Sequence, residues 1–169
     1  LFGGGDTGWE RRAMSSKHPD SDTVRAALAL AVRAPSVHNT QPWQWRVGDR
    51  TVHLYADASR QLPVADPDQR DLLLSCGAAL HHFRVAARSV GWHTVVHRLP
   101  NPAEPQHLAS IEFTATTPTA DVVAAARAIS LRRTDRRHLT SREVPPGHIE
   151  RIIEAGHAAA RGRQLCPGK

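Results

Sequence analysis

The amino-acid sequence predicts a fold of the α+β class, and two groups of patterns lead to that prediction. Alternating apolar residues in WQWRV and TVHLYAD, on either side of Gly48 and Asp49, predict a β-hairpin. A long apolar stripe between about residues 67 and 90 predicts one extended helix, and the runs WHTVVHRL and HLASIEFTA after it predict two more strands. Strands grouped between helices are typical of α+β proteins.

Length and charge limit the classes of function. The 169 residues, 40% of them hydrophobic, fit one globular domain, and two cysteines without a C-x-x-C pair favour a reducing, cytoplasmic setting. No apolar run is long enough to span a membrane. The net charge of +6 suggests a basic nucleic-acid module, but the arginines are scattered and lysine occurs only at Lys17 and Lys169. We therefore expect neither a nucleic-acid nor a membrane partner.

The first part of the chain predicts a disordered leader followed by a helix. Residues 1–21 are rich in glycine and polar residues and show no apolar period. Helical spacing of apolar residues then extends from about Thr23 to Ala34, with Asp22 or Ser21 as the cap and Pro35 as the stop.

The long helix carries clear start and stop signals. Asp66 is expected as its N-cap, Pro67 in the first turn, Gln69 in the capping-box position and Gly91 after its end. This pattern predicts the central core helix. Its expected apolar stripe consists of Leu72, Leu73, Cys76, Ala79, Leu80, Phe83, Ala86 and Ala87.

Two helices are expected in the last third of the chain. TADVVAAARAISL predicts a helix with Thr119 as its cap, and Pro145 and Pro146 open a final amphipathic helix. The apolar face of the final helix, with Ile149, Ile152 and Ile153, has little chain after it to cover it. We therefore expect self-association.

A polar segment between the first helix and the hairpin is the first candidate site. In APSVHNTQPW, Pro35 and Pro42 bound a run of hydrogen-bonding side chains, which suits the binding of a flat heterocycle. We call residues 35–42 the polar loop. The alternative is an ordinary capping and turn segment with Trp43 in the core.

This segment resembles a known family. The pattern P-S-x-x-N-x-Q-P-W after an alanine-rich helix is similar to the flavin-ring loop of the nitroreductase family, and the variant with His38 resembles its actinobacterial Acg-like members. The run SCGAALHHFRVAARSVGW is similar to the long central helix of that family. The resemblance implies an α+β nitroreductase-like lobe, with an antiparallel or mixed sheet around that helix and FMN as cofactor. The flavin-binding residues that it implies here are Pro35, Ser36, His38, Asn39 and Gln41.

The second candidate site is the run RRTDRR, residues 132–137, which we call the arginine segment. In an extended chain, Arg132, Thr134 and Arg136 would point the same way and could surround one phosphate. The alternative is a solvated loop with surface ion pairs to Asp135 and Glu143. The resemblance implies an FMN-phosphate clamp, because a similar segment followed by V-P and a helix opens a lobe in this family.

Together, these observations predict three regions and one composite site. Residues 1–21 form the leader, 22–127 a first lobe, and 128–169 the truncated start of a second lobe. The polar loop and the arginine segment would then hold the two ends of one flavin. No residue is expected to act as a nucleophile, since the flavin carries the redox chemistry.

Two other functions stay open at this point. One is a protein that binds or sequesters flavin without catalysis, since no nicotinamide site is evident; the weaker one is a basic interaction module for nucleic acid. Candidate partners of the enzyme are NAD(P)H or a small electron acceptor. Among the eleven histidines, His93 and His97 share one strand face, but no third ligand is evident, so no metal is expected.

Overall fold

The computed structural model describes residues 18–134 and 143–161. The chain divides into two compact units, residues 1–133 and residues 134–169. The helices of the first unit are α1 (Ser21–Ala31), α2 (Arg70–Ser89) and α3 (Ala120–Leu131), and its strands are β1 (Trp43–Val47), β2 (Val52–Ala56), β3 (Trp92–Arg98) and β4 (His107–Ala115). The second unit contains α4 (His148–Arg161). The α+β prediction is confirmed.

The first helix begins earlier than predicted. Asp20 is its N-cap, and its carboxylate accepts a hydrogen bond from the Thr23 backbone N–H at 2.7 Å. Asp22, which was expected as the cap, lies in the first turn and pairs with Arg25 at 2.7 Å. The predicted leader boundary at residue 21 is therefore too late by at least one residue, since residue 21 is already helical. Residues 1–17 of that leader lie outside the described residues.

The sheet contains the four predicted strands in the order β1-β2-β4-β3, and all neighbours are antiparallel. The expected hairpin pairs Trp43 with Ala56 and closes through a bond from the Gly48 N–H to the Thr51 carbonyl at 2.8 Å. The pairing of β2 with β4 shifts register between Leu54 and Tyr55. This shift lets β2 turn toward the segment that follows it.

The core lies between one face of this sheet and the helices α1 and α2. Phe83 of α2 is fully buried, and its ring lies 5.1 Å from that of Trp45 and 6.1 Å from that of Phe113. Alternate residues of the central strands, such as Leu54 and Ile111, are buried against it. The prediction that α2 is the core helix is confirmed.

Two details of α2 differ from the prediction. The helix begins at Arg70, because Gln69 adopts a left-handed conformation (φ 58°) as the N-cap without a side-chain bond. Asp66 caps the helix from outside, accepting from the Asp71 and Leu72 backbone N–H groups at 3.1 and 2.9 Å. Leu73, predicted in the core, is 48% exposed, because the helix turns Ser75 inward toward the polar loop instead.

The remaining helices match the predicted segments. Thr119 precedes α3 as its N-cap, although its side chain makes no capping bond. In the second unit, α4 leaves Ile149, Ile152 and Ile153 at least half exposed. In the described part of the chain, no helix combines the length and apolar character needed to cross a bilayer.

Candidate functional site

The polar loop connects α1 to β1, and its two ends are fixed in the core. Ala34 and Pro42 are buried, whereas Pro35, His38 and Asn39 between them are exposed. A short 3₁₀ turn over Val37–Asn39 occupies the middle. The loop therefore offers its central side chains to solvent from a fixed base.

The backbone of this loop is held in an unusual conformation. His38, Asn39 and Gln41 all have positive φ angles, of 49°, 57° and 49°. A residue with a side chain in this region costs about 1–2 kcal/mol relative to an ordinary conformation. Such strain clusters at functional sites, where the surrounding structure maintains it.

Several of the loop's hydrogen bonds serve its own shape. The Ser36 hydroxyl oxygen accepts from the Gln41 backbone N–H at 3.0 Å, and the Ser36 carbonyl accepts from the Asn39 N–H at 3.0 Å. The Thr40 hydroxyl donates to the Val37 carbonyl at 3.0 Å. Ser36, predicted as a ring contact, is therefore also part of the loop's internal scaffold.

The amides of Asn39 and Gln41 lie side by side at the loop surface. The Gln41 Nε2 is 3.4 Å from the Asn39 Oδ1, which is a weak hydrogen bond. Among the described residues, neither the Asn39 nitrogen nor the Gln41 amide oxygen has a hydrogen-bond partner. The pair therefore presents one free donor and one free acceptor to an incoming ligand.

Helix α2 supports the loop from below. The Ser75 hydroxyl oxygen accepts from the Val37 N–H at 3.4 Å, and the Cys76 thiol donates to the Pro42 carbonyl at 3.1 Å. Burial raises the pKa of the Cys76 thiol to about 12. The predicted burial of Cys76 in the apolar stripe is confirmed, and a thiol with so high a pKa is a poor nucleophile.

The beginning of the arginine segment lies against the end of α1. The Arg132 Nη2 donates to the Arg33 carbonyl at 3.0 Å, and the Arg33 Nη2 donates to the Ser130 carbonyl at 3.1 Å. Each arginine thus satisfies a carbonyl at the end of the other's helix. Because Arg33 is three residues before Ser36, this contact brings Arg132 close to the start of the polar loop.

The electrostatics at this corner are positive. Arg133 donates to the carbonyls of Ser130 and Arg132 at 3.1 and 2.9 Å. Burial lowers the pKa of His82, and so do the neighbouring His81 and the charge of Arg132. A hydrogen bond with the Leu30 backbone raises this pKa but offsets the lowering only in part. The charge that suits an anionic ligand at this corner therefore comes from the guanidinium groups of Arg33, Arg132 and Arg133, and not from His82.

The other predicted phosphate residues have different outcomes. Thr134 is exposed and belongs to the second unit, while Arg136 lies outside the described residues, as does Asp135. Within residues 18–134 and 143–161, no group of three histidine, cysteine or acidic side chains is arranged to hold a metal ion.

Comparisons with known proteins bear on this arrangement. The chain is 48% identical over 153 residues to "Putative NAD(P)H nitroreductase Rv3131" of Mycobacterium tuberculosis, covering 90% of this chain and 44% of that protein. It is 50% identical over 121 residues to "Putative NAD(P)H nitroreductase acg" of the same organism, covering 69% and 35%. The chain is a homologue of Acg-like proteins. This confirms the predicted resemblance, and the Acg-like chain spans less than half the length of these two relatives.

A solved structure confirms the fold. The Acg-like chain matches a putative nitroreductase in complex with FMN from Desulfovibrio desulfuricans with a TM-score of 0.50 and 17% sequence identity, covering 80% of this chain and 97% of that one. At this identity the likeness shows the nitroreductase fold. No family model matches the chain.

Sequence reasoning missed two arginines of this region. Arg33 lies beyond the end of α1, which is at Ala31 and not at the predicted Ala34, and its hydrogen bond to the Ser130 carbonyl joins residues 97 apart. Arg60 follows β2 and contacts the polar loop, as described below. No local pattern marks either residue, because both contacts depend on the packing of distant elements.

Proposed function

We propose that this chain forms part of an FMN-dependent oxidoreductase of the nitroreductase type, with one flavin held between the polar loop and the arginine segment. The polar loop, through Asn39 and Gln41 with Pro35, Ser36 and His38 around them, would bind the flavin ring. The second end, with Arg132, Thr134 and Arg136, would bind the phosphate. The observation that carries the proposal is the Arg132–Arg33 contact at 3.0 Å, since it brings the start of the arginine segment to the residues directly before the polar loop, about one hundred residues away in the chain.

The residues fit the two ends of FMN chemically. The pyrimidine edge of a flavin alternates acceptor, donor and acceptor groups, and the Asn39–Gln41 amide pair offers a free donor beside a free acceptor. A phosphate monoester matches the planar N–H fork of a guanidinium, and the Arg132 guanidinium lies at the end of α1, directly before the polar loop. Hydrogen bonds with Ser75 and Cys76 of α2 hold the loop backbone on either side of the two amides.

The chain's own residues would bind and orient rather than react. When bound, FMN supplies the hydride and electron transfer for which the named relatives are called nitroreductases. Asn39 and Gln41 would fix the ring in its plane, and the strained backbone would keep both amides facing the same side. Arg132 would anchor the phosphate and so set how far the ring reaches into the loop.

Partners and domain organisation follow from the same proposal. The names of the relatives support NAD(P)H as the electron donor, with a small molecule as the acceptor. Residues 22–127 would form one nitroreductase-like lobe, and residues 128–169 the opening of another. In that arrangement the arginine segment is the first element of the second lobe and completes the site of the first.

The test is the absorption spectrum of the purified chain, with the released cofactor identified. We expect a yellow protein that carries FMN and bleaches on addition of NADPH. Bleaching with dithionite but not with NADPH would instead favour the flavin-sequestering function. A colourless protein that takes up no added flavin, and that binds DNA with a steep salt dependence, would contradict both.

A further inference from the structure

The segment that follows β2 contacts the polar loop opposite its support by α2. Ala58–Arg60 form a short 3₁₀ turn with Asp57 as the N-cap. The Arg60 Nη1 donates to the Thr40 carbonyl at 3.0 Å and lies 3.5 Å from the Gln41 carbonyl. One guanidinium nitrogen therefore contacts the carbonyls on both sides of Gln41.

This contact depends on the conformation of Gln41. Successive carbonyls point in opposite directions along an extended chain, but in similar directions where the residue between them is helical. Gln41 has a positive φ of 49°, and in this conformation the carbonyls of Thr40 and Gln41 both reach one Arg60 nitrogen. Arg60 therefore stabilises the strained conformation rather than the relaxed one.

Asp57 orients the guanidinium and is itself tied to the loop. Its carboxylate lies 3.2 Å from the Arg60 Nε and accepts from the Ser59 N–H and hydroxyl at 3.1 and 2.6 Å. Its backbone N–H donates to the Pro42 carbonyl at 3.0 Å. Hydrogen bonds from Ser59 and Gln44 to the carboxylate lower the pKa of Asp57, which keeps it charged near neutral pH.

The consequence reaches the side chains proposed to bind the ring. Gln41 holds its amide beside that of Asn39 only while its backbone stays in the left-handed region, because a change of φ would redirect the side chain. Among the described residues, the hydrogen bonds of Arg60 to the loop go to backbone carbonyls and not to the Asn39 or Gln41 side-chain amide.

We propose that Arg60, oriented by Asp57, is a positioning residue that holds Gln41 in the conformation required for flavin-ring binding. This inference rests on the proposed flavin site and adds two residues that neither the motif nor the arginine segment contains. Arg60 does not touch the ring; it acts through the loop backbone.

The experiment compares Arg60→Ala and Arg60→Lys with a matched control in the full 169-residue chain. The control is Arg25→Ala, because Arg25 forms the same i,i+3 pair with Asp22 on α1, far along the chain from the loop. NMR couplings report the backbone φ of Gln41 without flavin, and flavin fluorescence reports the affinities for FMN and riboflavin.

We expect Gln41 to leave the left-handed region in Arg60→Ala, and FMN and riboflavin to bind about tenfold more weakly, by equal factors. Arg60→Lys should keep part of the left-handed population of Gln41 and part of the flavin affinity. A lysine ammonium can bind one loop carbonyl, but it cannot bind that carbonyl and the Asp57 carboxylate together. Arg25→Ala should change neither the φ of Gln41 nor the affinity for FMN or riboflavin.

Unchanged φ at Gln41 in Arg60→Ala, with unchanged flavin affinity, would overturn the inference while leaving the flavin site intact. Failure of the parent to bind either flavin would overturn the proposed function, and with it the link to the ring. The NMR reading would then still decide whether Arg60 holds the Gln41 backbone.

Discussion

In the polar loop the backbone is tied down and the Asn39 and Gln41 amides remain open, whereas at Arg132 the guanidinium itself is engaged by a backbone carbonyl. The hydrogen bonds within the loop fix its conformation, and three of its residues are held at strained, positive φ angles. The arginine segment begins where α3 ends, and its cations complete helix ends that would otherwise lack partners.

This difference shows that two motifs proposed for one site can contribute unequally to the stability of the fold. A residue that binds only the ligand can be changed with little effect on folding, and the open amides are of that kind. A residue that also caps a helix affects both properties, and Arg132 is of that kind. Substitution of the open amides should therefore change mainly the flavin affinity. Substitution of Arg132 should change both the FMN affinity and the stability of the fold.

The largest expected effect is that of Arg132→Ala on FMN binding. A charge-assisted contact to phosphate contributes about 1.5–3 kcal/mol, so FMN affinity should fall about tenfold or more. Riboflavin, which lacks the phosphate, should bind almost as to the parent. Parallel fluorescence titrations of both flavins measure the change, with Arg133→Ala, another helix-capping arginine, as the control.

Equal FMN affinity in Arg132→Ala and the parent would mean that Arg132 is only a helix cap. In that case the polar loop alone would bind flavin, and the contact of Arg132 would have only a structural role.

Asn39→Ala should have the next largest effect, and it should act on both flavins alike. One neutral hydrogen bond contributes about 0.5–1.5 kcal/mol, which corresponds to roughly two- to tenfold in affinity. The unfolding midpoint in urea should fall only slightly, because the Asn39 side chain is exposed but its φ of 57° suits asparagine better than alanine. A loss confined to FMN would place Asn39 near the phosphate rather than the ring.

Replacing His38 with glycine tests whether the loop stores strain. Relief of the positive φ favours glycine by about 1–2 kcal/mol, and the greater freedom of the unfolded chain removes roughly 0.5–1 kcal/mol of this. Thermal unfolding should therefore shift upward by about 1–3 °C. Leu99→Gly is the matched variant, because Leu99 has φ 47° in a different loop.

Both glycine variants should gain stability, but only His38→Gly should weaken flavin binding. A drop in stability for His38→Gly would show that its conformation is held by contacts worth more than its strain.

The smallest expected effect is the pH dependence of the unfolding free energy, to which groups in different regions contribute at different pH. Burial lowers the pKa of His82 at the arginine corner, and of His53 in the sheet, below the ordinary 6.5. The unfolded chain therefore takes up protons first, and the unfolding free energy should fall as pH drops below about 6.5. The lowered pKa of Asp57 acts in the same direction at lower pH: its contribution is present above pH 3.8 and is lost as pH falls through the folded-state pKa.

Urea unfolding between pH 8 and pH 5 measures this dependence. His82→Gln should flatten the curve, and a change at the exposed His93 should leave it as it is. A parent whose stability stays constant across this range would contradict the assignment of His82 and His53 as neutral groups.

Periodicity and turn chemistry predicted most of the fold, and their errors have local causes. The alternating strands and the apolar stripe of α2 place every described strand and the core helix correctly, because burial of one face dictates the pattern. Asp22 or Ser21 was predicted as the cap in place of Asp20, because both are capping residue types shortly before the first apolar position. Leu73 was placed in the core because apolar character alone does not show that Ser75 turns inward to bond Val37.

For the candidate site, the motif identified the loop but not its geometry. Residue types alone do not show the positive φ at His38, Asn39 and Gln41, since even asparagine and histidine, which adopt it more often than most residues, do so in only a minority of cases. The support from Arg60 and the contact of Arg132 with Arg33 arise from packing between elements distant in the chain. These are tertiary contacts, for which a single sequence carries no signal.

The most direct test of a single site built from both regions is a titration of the isotope-labelled chain with FMN and with riboflavin, followed by amide NMR. FMN should shift the amide resonances of residues 36–41 and also those around Arg132. Riboflavin should shift only the former. If FMN shifts one region alone, or shifts neither, the polar loop and the arginine segment do not hold the two ends of one flavin.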